Sequence, residues 1–146
     1  VKINIVGPRI TKKMKSFSSD DRINFKGFVP DIIEEYFSNE IFIAPIILGS
    51  GTKLKLLEAM AASMPIVTTT IGAEGIALKN KESALIYDND KDFAEAIDNL
   101  LNDKKSAKIL GENARKCAEE NYDWKKIAED LFSYFEKILK EKGVTK

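Results

Sequence analysis

With 146 residues, 44% of them apolar and 32% charged, the chain is long enough to bury one core and too apolar for disorder. Its 23 basic and 23 acidic residues cancel, which excludes the broad electrostatic footprint of a nucleic-acid or membrane-surface binder; no nucleic-acid partner is expected, and an anionic ligand must be held locally. Histidine is absent and Cys117 is the one cysteine, which excludes a Ser-His-Asp relay, an imidazole base, a histidine-bound zinc and an internal disulfide, and fits a reducing, cytoplasmic compartment.

The chain opens on an apolar strand at residues 1–6, without an initiator Met or a signal peptide, as a fragment would. A helical pattern follows over 10–17, then a strand at 23–25, a helix over 31–37 and a strand at 41–44. A helix over 53–62, a strand at 66–69 and a strand at 84–87 complete the alternating half. Strands alternating with helices predict a parallel α/β sheet of about five strands with right-handed crossovers. The runs at 41–44 and 66–67 are continuously apolar, as when both sheet faces are covered. The last third is helical. Phe93, Ala96, Ile97, Leu100 and Leu101 make one stripe, and Ala107, Leu110, Ala114 and Cys117 a weaker one. Ile127, Leu131, Phe135 and Ile138 make a third, after Asp123 as N-cap. The polar tail 140–146 is expected to fray, and no apolar run reaches transmembrane length.

In an open parallel sheet, ligands bind beyond the carboxyl ends of the strands. That edge collects Gly7, Gly27, Gly49, Gly51, Gly72 and Gly75, six of the 8 glycines, which suggests a ligand-lined rim. Its most specific part is Gly49-Ser50-Gly51-Thr52, a turn opening the helix that carries Lys53, Lys55 and Glu58. Unpaired amides at a helix start suit a diphosphate; Thr52 would cap the helix or donate to phosphate, and Lys53 or Lys55 would add a cation. Lys55 and Glu58 share a face one turn on, where a carboxylate can accept from both hydroxyls of a ribose. The plainer alternative is a glycine-rich helix start with a surface Lys-Glu pair.

The segment from Gly49-Ser50-Gly51-Thr52-Lys53-Leu54-Lys55 through Leu57-Glu58-Ala59-Met60-Ala61-Ala62-Ser63-Met64-Pro65-Ile66-Val67 closely resembles the donor-site motif of the retaining, family 4 glycosyltransferases of GT-B fold. Ile5-Val6-Gly7, Asn24 through Val29, Gly72-Ala73-Glu74-Gly75-Ile76 and Tyr122-Asp123-Trp124 also match that pattern, so the resemblance spans nearly the whole chain. It implies that residues 1–146 are one Rossmann-like, C-terminal donor domain, binding a nucleoside-diphosphate sugar for transfer to an acceptor hydroxyl. It implies that Glu58 binds the ribose, that Gly51 and Thr52 face the diphosphate, and that Gly27, Phe28 and Val29 border the base. It further implies a strand order 3-2-1-4-5-6, a first strand and an N-terminal acceptor domain lying before Val1, and a fragment that is inactive by itself. No metal or other cofactor is expected. The intact enzyme is placed in the cytoplasm, with the inner face of the membrane as the alternative, and the fragment is expected to self-associate through its bared strand edges.

Two departures stand out. The family often has a glutamate eight residues before the one matching Glu58, near the donor sugar; here that position holds Ser50. The diphosphate-binding Arg/Lys pair after the first strand would precede Val1. Ser50 and Glu74 are therefore the donor-sugar candidates, with no catalytic residue assigned, and Glu74 reads equally as a solvated loop carboxylate. Asp88-Asn89-Asp90 has the form of a metal motif, but between a strand and a helix it reads first as a turn and N-cap. Trp124 is expected to pack in a core or interface and Cys117 to be a small core residue. The rival functions are a sugar-nucleotide epimerase and an inert nucleotide-binding scaffold on the same fold. A receiver-type signalling domain is rejected, because Ala44-Pro45 and Gly7-Pro8-Arg9 stand where its acidic residues belong.

Overall fold

The computed structural model describes residues 1–16 and 19–143. The last predicted position of the first helix, Phe17, and the tail residues 144–146 lie outside these. The chain divides into two units, Val1–Glu35 and Tyr36–Lys146. The fold is mixed α/β, with parallel strands, flanking helices and a long helical C-terminal region.

In the first unit, β1 (Ile3–Val6) pairs parallel with β2 (Ile23–Gly27), Ile3 opposite Ile23 and Ile5 opposite Phe25. The Asn24 side-chain amide donates to Asn4 Oδ1 across the pair at 3.2 Å. Between the strands lies the short helix α1 (Lys12–Ser16), whose Met14 amide donates to the Thr11 hydroxyl. Helix α2 (Ile32–Ser38) follows β2 and runs into the second unit; within the first, Lys26 and Glu35 form a part-buried ion pair at 2.8 Å.

The second unit is built on β3 (Phe42–Ala44), β4 (Ile66–Thr68) and β5 (Leu85–Ile86), parallel and in the order β3-β4-β5. Its helices are α3 (Leu54–Ala61), α4 (Thr70–Ala73), α5 (Asp90–Asn102), α6 (Lys104–Tyr122) and α7 (Trp124–Glu141). Every residue of β4 is inaccessible, the outcome that its unbroken apolar run predicted. Successive strand residues point to opposite faces. Accordingly Ile66 joins a cluster with Leu56, Met60, Met64 and Ala114, while Val67 joins another with Ala96, Leu100, Ala107 and Leu110.

The structure corrects several expectations. The five strands form two sheets and not one, because no ladder among the described residues joins β1 to β3. Each sheet nonetheless reproduces one flank of the expected order, in which β1 and β3 would both neighbour a central strand and not each other. The rim segment after β4 contains a helix, α4, with Thr69 as its cap and not as the end of the strand. Gly72 is no rim glycine but a packing one: a Cβ there would lie 2.1 Å from Thr68 Oγ1. Helix α7 is capped by Asp123, as predicted, but buries none of its residues, and Trp124 is 83% exposed. The two clusters are already filled from α3, α5 and α6, which leaves the third stripe outside them. Cys117 is half-buried against the first cluster, its thiol donating to the Ala77 carbonyl at 3.1 Å.

Candidate functional site

The loop between β3 and α3 is tied down at its base and open at its tip. The Thr69 hydroxyl donates to the Ile46 carbonyl and accepts from the Gly72 amide, so the end of β4 fixes where the loop departs. Beyond that anchor, Ile47 and Leu48 are 72% and 84% exposed, and Gly49 to Thr52 are exposed as well. Gly49 and Gly51 take φ of +128° and +77°, a backbone that side-chain-bearing residues rarely adopt.

Helix α3 begins one residue later than expected. Lys53, not Thr52, occupies the cap position, and no side chain caps the helix. The Leu56 amide turns back to the Lys53 carbonyl at 2.8 Å, and the amides of Leu54 and Lys55 have no side-chain acceptor among the described residues. These are the orphan donors at the positive end of a helix. Lys53 itself is buried, and its ammonium has no hydrogen-bond partner among the described residues. Lys55, the other candidate cation, is exposed. A buried charge without a partner among the described residues is costly, and a helix start is the place where an anion would offset that cost.

One turn along α3, the exposed Glu58 carries its carboxylate. The Tyr36 hydroxyl donates to Glu58 Oε2 at 2.9 Å and lies 3.4 Å from the Lys55 carbonyl. Tyr36 is buried in the first core cluster, its ring 5.8 Å from that of Phe42. Burial, then the hydrogen bond to Glu58 and its negative charge, push the Tyr36 phenol well above its ordinary range, so the hydroxyl keeps its proton to donate. No described residue donates to Glu58 Oε1. Tyr36 was missed in the sequence, where it reads only as one apolar position of a helix. The available signal was general: a buried tyrosine needs a partner for its hydroxyl.

The remaining predicted residues take separate places. Gly27, with φ of +77°, Phe28, 75% exposed, and Val29 follow β2 in the first unit. Glu74 ends α4 as its C-cap and is exposed. Asn89 caps α5 by accepting from the Asp92 amide, bearing out the turn reading. Asp88 accepts from both the hydroxyl and the amide of Thr70, at 2.7 and 2.8 Å, and these bonds hold its carboxyl below the ordinary 3.8. Two surface concavities lie elsewhere, one around Asn4 and Arg22, the other between β5, α5 and α6 around Leu85 and Ile109. Neither concavity brings together, as the α3 start does among the described residues, free helix amides, a buried cation and an oriented carboxylate.

Residues 1–103 match the model of the family described as Glycosyl transferases group 1. The chain belongs to the group 1 glycosyl transferases. Among curated relatives, an uncharacterized 44.6 kDa protein of the cps region of Klebsiella pneumoniae is 38% identical over 97 residues, 66% of this chain and 25% of that protein. Spore coat protein SA of Bacillus subtilis is 31% identical over 122 residues, 80% of this chain and 32% of the relative. The chain thus spans a quarter to a third of the length of these relatives. Among solved structures, Anabaena HepE in complex with UDP superposes with a TM-score of 0.76 at 18% identity, over 91% of this chain and 41% of that one. That likeness gives this group 1 member the α/β fold of the matched part of its GT-B neighbour.

Proposed function

We propose that the chain is the donor-binding part of a glycosyltransferase, holding a nucleoside-diphosphate sugar at the start of α3. The observation that carries this is the buried Lys53 ammonium, without a partner among the described residues, at a helix start whose first amides also meet no side-chain acceptor among them. A diphosphate would satisfy both. Glu58 lies four residues beyond Leu54, roughly 6 Å along the axis at 1.5 Å per residue, where the ribose hydroxyls of such a ligand can donate to it. Gly49, Ser50, Gly51 and Thr52 would line the phosphate side, with Lys55 at its margin. Ser50 and Glu74 would contact the sugar.

Catalysis on this reading is positioning together with stabilisation of the departing diphosphate, with no metal required. The transfer is of hexosyl type with retention, and the acceptor hydroxyl is bound by an N-terminal domain, so residues 1–146 alone bind donor without transferring it. The UDP bound to HepE supports a nucleotide ligand for this fold. A cytoplasmic site, or one at the inner membrane face, fits a chain in which no described helix is long and apolar enough to cross a membrane.

Thermal shift with UDP-, GDP- and ADP-sugars tests the reading. A ligand at about 100 times its Kd adds roughly 2.7 kcal/mol of stability, several degrees for a domain of this size. Stabilisation by one of the three series is expected. No shift with any of them at millimolar concentration would sink the donor reading.

A further inference from the structure

We infer that Tyr36 is a positioning residue for nucleotide recognition, setting the Glu58 carboxylate so that the site selects ribose over deoxyribose. The inference rests on the donor reading above. A glutamate on an exposed helix face is ordinarily free to sample several rotamers, and each must be given up when a ligand binds. Here one carboxylate oxygen is held at 2.9 Å by a hydroxyl that cannot itself wander, since Tyr36 is buried and its ring packs in the core beside Phe42. The bond comes from 22 residues away in sequence, so it is a tertiary constraint and not a local helix contact. The hydroxyl has one proton. It goes to Glu58 and not to the Lys55 carbonyl, because 2.9 Å to a charged acceptor outweighs 3.4 Å to a neutral one. With Oε2 held, Oε1 and the second lone pair of Oε2 remain to accept from a vicinal diol. Both hydroxyls of a ribose can meet such a fixed pair; a 2′-deoxyribose offers only one.

Calorimetric titration of the full chain with UDP, GDP and ADP, and with their 2′-deoxy forms, tests this. Tyr36→Phe keeps the ring and removes the donor, and its melting curve checks that the fold is retained. It is expected to weaken the tightest ribonucleotide by about three- to tenfold, the scale of one hydrogen bond, and to leave the deoxy form within about twofold. In a Glu58→Ala background, which removes the acceptor, Tyr36→Phe should have little further effect on nucleotide affinity, since the two act through one contact. Unchanged ribose preference in folded Tyr36→Phe overturns the inference, as does equal weakening of both forms, which marks a structural role only. Failure of the unmodified chain to bind any of the three ribonucleotides overturns the inference and the donor reading together.

Discussion

An ammonium buried without a partner is tolerated only where something other than folding requires it. Lys53 meets that description, and it sets two opposed expectations. Lys53→Met should raise the stability of the ligand-free chain by about 1–3 kcal/mol, because an unsatisfied buried polar group is removed. The same change should abolish most of the stabilisation that UDP, GDP or ADP confers. Melting curves with and without nucleotide separate the two effects, and a destabilised variant with undiminished binding would refute both. Glu58 is the complementary case. Its carboxylate is exposed, so Glu58→Ala should cost about 1.5–3 kcal/mol of nucleotide affinity by calorimetry, with a smaller loss of melting temperature because the Tyr36 hydroxyl is left with only the Lys55 carbonyl at 3.4 Å. The two lysines show where sequence stops informing. Lys53 and Lys55 both flank the helix start, and spacing makes either a plausible cation. Burial, which distinguishes them, depends on where the helix begins by a single residue.

At the scale of elements, apolar patterning located every strand to within two residues at either end, because β3 and β4 are short runs with both faces covered. Helix α4 was hidden, since four residues cannot show a helical period and Gly72 reads as a turn. Close packing was equally invisible. The second stripe included Ala107, Leu110 and Ala114, yet the residue that lets α6 approach the turn between α3 and β4 is Gly111, where a Cβ would lie 2.1 Å from the Ser63 carbonyl. Backbone cannot yield as a flexible side chain would, so Gly111→Ala should cost about 1–3 kcal/mol, measurable by urea denaturation. The strand-end carboxylate Asp88 joins β5 to the start of α4 through its bonds to Thr70. Its folded value lies below its unfolded one, so its contribution is complete above the unfolded value near 3.8 and is lost as pH falls through the folded one. Asp88→Asn should therefore lower stability at neutral pH and flatten the loss of melting temperature below about pH 4. Parallel melting-temperature profiles for the two proteins would miss that flattening and count against the link.

For the whole molecule, the exposed apolar surface is the governing fact. Strand β1 pairs only with β2, and β3 only with β4, so each has an edge whose amides and carbonyls no other described strand takes up. Unpaired edges template pairing with another chain, and charged or proline-bearing edges suppress it. Neither strand carries a charge or a proline: β1 reads Ile-Asn-Ile-Val and β3 reads Phe-Ile-Ala. Helix α7 adds a second surface of the same character. Its 18 residues bury none of their number, and Leu131, Phe132, Tyr134 and Phe135 are all more than half exposed. Apolar patches on this scale mark surfaces that association covers. A domain with only about 5–15 kcal/mol of net stability gains appreciably from covering them. The chain is therefore expected to self-associate, its mean mass by light scattering rising from that of a 16.4 kDa monomer across a concentration series. Asp or Lys at both Leu131 and Phe135 should shift that series toward monomer if α7 carries the contact. If the doubly charged variant still associates, the strand edges are the contact. A single monomeric species in the unmodified chain at high concentration would reject association altogether.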